Sequence, residues 1–148
     1  MNYKEFVRED LEKVVHSYIK AFNKEPWNDK WTYETAFKRL SMTMNTQGFY
    51  GLIASENNEF LGAIIGNEEI YYDGMNFNIK EFWTNSEVES RGIGSKLLEE
   101  LTKRLKEKDI RNITLFTTRD DKAEGFYERR GFKTINNIVY MEKNIIKN

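Results

Sequence analysis

Apolar positions along the chain recur in two rhythms, and the rhythms divide it into helices and strands. Leu11, Val14, Val15, Tyr18, Ile19 and Phe22 repeat in steps of three and four, one face of a 3.6-residue period that predicts a helix from Asp10. The segment 23–31 stops it and carries the only proline, Pro26. Thr32 reads as the N-cap of a second helix ending near Asn45. The clearest helix follows Gly92, where Ile93, Leu97, Leu98, Leu101 and Leu105 share one stripe. Strand-like runs occupy residues 3–7, 49–55, 60–66, 77–84, 113–118 and 134–141. Residues 56–59 read as a hairpin turn and 67–76 as a second one. Asp120 and its neighbours start a short helix carrying Phe126 and Tyr127, with Gly131 as its C-cap.

Alternation across the strand at 77–84 places Ile79, Glu81 and Trp83 on one face, and Asn78, Lys80, Phe82 and Thr84 on the other. A carboxylate between Ile79 and Trp83 in a sheet is costly unless it is paired or functional.

Between that strand and the long helix lies Glu89-Ser90-Arg91-Gly92-Ile93-Gly94-Ser95. A strand followed by a glycine-rich turn into a helix presents backbone N–H groups at a positive dipole end, which suits a phosphate. Arg91 adds a cation. A Walker loop requires G-x-x-x-x-G-K-S/T, which is missing, and a dinucleotide fingerprint requires a small residue where Leu97 stands.

A second stretch, Ala123-Glu124-Gly125-Phe126-Tyr127-Glu128-Arg129-Arg130-Gly131-Phe132, completes a pair of motifs. Together they resemble the GNAT N-acetyltransferase superfamily, whose patterns are Q/R-x-x-G-x-G/A and, later, A-x-x-F-Y-x-x-x-G-F. The second pattern matches at Ala123, Phe126, Tyr127, Gly131 and Phe132. The resemblance covers nearly the whole chain and is similar in character to bacterial small-molecule members. It departs from the family pattern at Glu89 (Gln or Arg expected), in the missing proline before the loop, and at Asp120, where Asn is common.

Composition narrows the classes. Lys+Arg 23 against Asp+Glu 24 leaves no basic excess for nucleic acid. No run of about 18 apolar residues predicts a membrane span, and Asn2, Lys4 and Glu5 do not read as a signal peptide. Without cysteine and with one histidine, His16, disulfides, thiolate metal ligands and a Ser-His-Asp triad are not expected. His16 lies off the apolar stripe and reads as a solvated residue. The expectation is a metal-free, cytoplasmic protein, monomer or homodimer, of a single N-acetyltransferase domain over residues 1–148.

The resemblance implies a mixed α/β fold. Its sheet is mostly antiparallel with a splayed parallel strand pair, and helices cover both faces. Acetyl-CoA would lie in the splay, its pantetheine arm along Phe82, Trp83 and Thr84 and its pyrophosphate on Glu89, Ser90, Arg91, Gly92, Ile93, Gly94 and Ser95. Asp120 falls near the cofactor. Glu81 is the implied base, acting directly or through water, although the register of the base varies within the superfamily. Tyr127 matches the acid for the leaving thiolate. Trp27 and Trp31 either fold back on the core or, as the family's acceptor-covering region implies, wall a site for an amine, with Glu25, Asp29, Glu81, Glu68 and Glu69 suiting a cationic, aminoglycoside-like acceptor. A peptide or protein amine, and a non-catalytic acyl-CoA sensor, are the alternatives.

Overall fold

Asn57 and Asn58, both at positive φ (50° and 63°), form the tight turn that folds β2 (Phe49–Glu56) onto β3 (Glu59–Tyr71). Such two-residue turns match the twist of antiparallel strands, and asparagine tolerates their left-handed backbone. The computed structural model, which describes residues 1–88 and 91–146, extends this hairpin to a five-stranded sheet. β1 (Asn2–Glu5) pairs with β2, and β4 (Gly74–Thr84) with β3, all antiparallel; β5 (Ile110–Thr114) lies parallel to β4. The segment 67–76, expected as a turn, belongs mostly to extended β3 and β4, which close through Tyr72 and Asp73.

The β3–β4 ladder is interrupted once. Ile65 pairs with Glu81, but Gly66 pairs with Ile79, so Lys80 is an extra residue in β4. A bulge of this kind shifts the alternation of side chains. Ile79 therefore lies on the face opposite Glu81 and Trp83, contrary to the uniform alternation expected from sequence. The backbones approach closely here: a Cβ on Gly66 would stand 2.0 Å from the Asn78 carbonyl oxygen, so only glycine fits.

Three long helices cover the two faces. α1 (Leu11–Phe22) and α2 (Tyr33–Met44) pack together. The first ends four residues before Pro26. Thr32 caps the second, its side chain accepting the Thr35 N–H at 3.1 Å. Leu11, Val14, Val15, Tyr18, Ala36 and Leu40 bury themselves with Ile53, Ala63, Ile65 and Trp83 of the sheet. The alternate positions Leu52, Ile64 and Phe77, all fully buried, face the other way. There α3 (Ile93–Glu107) lies across β2, β3, β4 and β5. Its stripe of Ile93, Leu97, Leu98, Leu101 and Leu105 is buried, each side chain contributing about 1.5–3 kcal/mol of transfer free energy.

The chain divides into two compact units at Leu115 and Phe116. In the second, α4 (Glu124–Glu128) is followed by Gly131 at φ 91°. The strand expected at 113–118 is β5, which starts earlier and ends at Thr114. The last expected strand, 134–141, is absent among the described residues. Its Ile138, Val139, Tyr140 and Met141 are exposed, and β propensity without a ladder partner does not make a strand.

Candidate active site

The parallel ladder between β4 and β5 ends at Asn78 with Thr114, whereas β4 runs on to Thr84. Beyond Thr84 the Asn85 N–H donates to the Leu61 oxygen at 2.8 Å. The Asn85 side chain donates to the Phe60 oxygen and accepts from the Glu87 N–H, both at 2.9 Å. This asparagine fixes the exit of the strand, in the stretch 85–88 that lacks the proline of the family pattern. Since Asn85 turns its amide towards β3, the backbone groups of Thr84 point to the opposite side by alternation.

Glu89 and Ser90 lie outside the described residues. Arg91 is exposed, with Nη1 3.4 Å from Glu56 Oε2, and an exposed pair of this length is weak. Gly92 caps α3 in the left-handed conformation, φ 71° and ψ 25°, and a Cβ there would meet nothing within 4 Å. The helical ladder begins with Lys96 N–H to Gly92 O at 3.0 Å, so the Ile93 and Gly94 amides precede it. No acidic residue stands in the first turn. Within that first turn nothing counters the positive end of this four-turn helix, which fits a diphosphate.

On the other side of the sheet, Glu81 sits beneath α1 and α2 with 11% of its side chain exposed. Tyr18 Oη donates to its Oε1 at 3.1 Å and Arg39 Nε to the same oxygen at 2.9 Å. Oε2 carries no hydrogen bond among the described residues. Burial pushes the Glu81 carboxyl above its ordinary value, against the opposing pull of Arg39 and Tyr18. Tyr18 is pushed far up, by burial first and then by the carboxylate. Burial works against the Arg39 charge, but Glu81 and Tyr18 together outweigh it and the guanidinium is held more firmly protonated.

An aromatic floor supports this cluster. Tyr18 packs edge-on against Trp83 at 5.1 Å and Trp31 at 5.4 Å, and Trp83 Nε1 donates to Ser17 Oγ at 2.9 Å. Asn23 holds Trp31 by both backbone groups, accepting its N–H and donating to its carbonyl, each at 2.9 Å. The Trp31 indole donates to Asp29 Oδ2 at 3.0 Å. The two tryptophans thus part company: Trp31 packs against the core, while Trp27 is 48% exposed and meets Phe22 edge-on at 5.3 Å. Glu25 is exposed. Glu68 pairs with Phe77 across the ladder and so faces α3, its carboxylate 3.9 Å from Lys108 Nζ.

Sequence reasoning passed over Tyr18 and Arg39. Tyr18 was legible only as part of an apolar stripe. Arg39 left a signal: it stands three residues after buried Ala36 and four before buried Thr43, on the inward side of an amphipathic helix where a cation requires a partner.

In the second unit, Asp120 serves the turn into α4. Its Oδ1 accepts the Ala123 N–H at 2.7 Å and its Oδ2 the Thr118 hydroxyl at 3.0 Å. These bonds hold its carboxyl below its usual range. Tyr127 lies between Phe126 and Phe132, ring centroids 5.2 and 5.3 Å away, and burial pushes its phenol up to about 12.

A family model described as the acetyltransferase (GNAT) family matches residues 11–132. The chain belongs to this family and is an acyltransferase. Solved structures share the fold across almost the whole chain. A transcriptional regulator from Bacillus halodurans C-125 is 22% identical at a TM-score of 0.75, the match covering 96% of this chain and 99% of that one. A predicted acetyltransferase from Clostridium acetobutylicum, solved with acetyl-CoA, is 19% identical at 0.69, covering 95% of both chains. An aminoglycoside acetyltransferase from an uncultured soil metagenomic sample, solved with sisomicin, is 17% identical at 0.70, covering 99% and 96%. At these identities the likeness is one of fold. Among the described residues no His, Cys, Asp or Glu cluster could hold a metal, and no helix is long and apolar enough to cross a membrane.

Proposed function

We propose that residues 1–148 act as one N-acetyltransferase domain that moves an acetyl group from acetyl-CoA to the primary amine of a small acceptor, by direct attack with both bound. The observation that carries this reading is the half-anchored carboxylate of Glu81, on a strand that outruns its parallel neighbour. Acetyl-CoA supplies an activated acyl group, and the chain supplies the rest. Residues 82–84 offer a strand edge for the pantetheine arm. The Gly92, Ile93 and Gly94 backbone, with Arg91 and Ser95 beside it in sequence, takes the diphosphate; Glu89 and Ser90, assigned to the same loop by the sequence, lie outside the described residues.

A primary amine has a pKa near that of lysine, about 10.4, so it arrives protonated at neutral pH. Glu81 removes that proton directly or through a water, the proton ending on Oε2. Tyr127 is the candidate acid for the sulfur. A phenol near 12 does not readily protonate a thiolate whose own pKa is about 8.5, so its contribution is a hydrogen bond to the developing charge. Trp27 and Trp31 wall the acceptor, with Asp29 drawing its ammonium.

The finer expectation of an aminoglycoside-like polycation draws support from the fold neighbours that carry that name. It is opposed by Arg39, a cation 2.9 Å from Glu81, and by Lys24 and Lys30, which offset Glu25 and Asp29 in the connecting segment. A compact monoamine fits better.

The test combines CoA-titrated melting with thiol release from acetyl-CoA across a panel of monoamines, polyamines, aminoglycosides and peptides. Stabilisation by CoA and turnover on a small amine is the expected result. Stabilisation without turnover on any amine would favour a sensor, and turnover on peptides alone would transfer the reading to protein amines.

A further inference from the structure

Tyr18, Arg39 and Glu81 come from α1, α2 and β4, and they meet at one carboxylate oxygen. The geometry is asymmetric, with two donors on Oε1 and no hydrogen bond to Oε2 among the described residues. The pair is buried at one end and open at the other, the Glu81 side chain 11% exposed and Arg39 45%. Among the described residues, three elements turn polar groups to Glu81. α1 presents Tyr18, α2 presents Arg39, and the segment between them presents Asp29, whose charge opposes ionisation. β3 presents apolar Ile65 and Ala63, paired with Glu81 and Trp83.

We infer that Tyr18 and Arg39 are positioning residues, a two-donor clamp on Oε1 that keeps Glu81 ionised and turns Oε2 towards the acceptor's N–H. This rests on the reading of Glu81 as the base. In the step they serve, an N–H bond of the acceptor breaks and an O–H bond forms at Oε2, the electron pair staying on nitrogen for attack. A carboxylate buried without its donors reverts to the protonated form and cannot accept that proton at neutral pH. The clamp also fixes which lone pairs are available, because both donors approach the same oxygen.

The experiment follows kcat/KM against pH for wild type, Arg39→Gln, Arg39→Lys and Tyr18→Phe, with the best amine from the panel. In parallel, carbon-13 NMR of labelled glutamate carboxyls follows Glu81, assigned with Glu81→Gln. Removing an opposite charge at this distance raises a carboxyl pKa by about 1–3 units. The acid limb of Arg39→Gln should move up by that amount and its activity recover at high pH. Tyr18→Phe should move the limb in the same direction by less, and Arg39→Lys should restore most of the wild-type profile. A limb that stays put while the plateau falls would make the contacts merely structural and overturn the clamp. So would a Glu81 NMR titration in Arg39→Gln identical to wild type, a result readable even without turnover. Full activity in Glu81→Gln would instead overturn the base on which the clamp acts. Should Arg39→Gln fail to fold, Tyr18→Phe and Arg39→Lys carry the same comparison.

Discussion

At its centre, the side covered by α3 presents Leu52, Ile64, Phe77 and Ile79, all buried and apolar, with Glu68 further along β3 beside Lys108. On the side covered by α1 and α2, Ile53, Ala63 and Ile65 share the surface with Trp83 and Glu81. What separates the two is one extra residue in β4. With Lys80 bulged, Phe77 and Ile79 turn to the α3 side while Glu81 and Trp83 stay on the other. Strict alternation would have left all four odd positions together and sent Asn78 and Lys80 beneath α3. The bulge lets one strand serve an apolar foundation at one end and a polar site at the other, the use to which such irregularities are often put.

If the faces divide labour in this way, substitutions should separate activity from stability. Glu81→Gln should lower kcat/KM by about 10²–10⁴, the usual value of a positioned base. Its stability at neutral pH should change little or improve, because an amide is cheaper to bury than a carboxylate and Arg39 keeps access to water. The sign of the pH dependence follows from the raised carboxyl. The folded state holds the proton more tightly, so the Glu81 contribution is complete below the unfolded pKa of about 4.3. It is then lost as pH rises through the folded value. Melting curves from acid to neutral pH should show wild type losing ground to Glu81→Gln as pH increases.

Leu101→Ala, on the opposite face, should do the reverse. A fully buried leucine truncated to alanine costs about 2–5 kcal/mol, read as a lower denaturation midpoint at unchanged m. The kcat/KM per folded molecule should stay near wild type. Equal damage to activity and stability from either substitution would break the distinction between the faces.

The sequence reading went furthest where a rhythm was uninterrupted. The stripes of α1 and α3, the Thr32 cap and the Asn57-Asn58 turn were all legible, because each depends on neighbours in the chain. It failed where tertiary geometry decides. Nothing in residues 77–84 announces that Lys80 will bulge, so Ile79 was assigned the wrong face. The composition of 134–141 is strand-like, yet among the described residues it has no ladder. In the candidate site Glu81 was visible as an ill-placed carboxylate. Its partners were not, since Tyr18 and Arg39 lie 63 and 42 residues away in sequence.

Tyr127→Phe should have a smaller effect than either substitution above, a several-fold fall in kcat with CoA affinity almost unchanged. Its phenol, near 12, stays protonated throughout the usable range. The alkaline limb of the wild-type profile should therefore persist in the variant. An unchanged rate would retire Tyr127 from the sulfur.

The smallest expected effect concerns the two tryptophans, and it probes the margin of the polar face. Trp31 is tied by three hydrogen bonds and packs on Tyr18, so its loss would disturb Glu81 through that ring and confound binding with folding. Trp27 packs edge-on against Phe22 and is half open. Trp27→Ala should cost stability no more than about 1 kcal/mol, the scale of one aromatic pair. If the indole walls the acceptor, KM for the amine should rise several-fold while kcat and the KM for acetyl-CoA hold. An unchanged acceptor KM would confine the wall to Trp31 and draw the edge of the site inside residue 27.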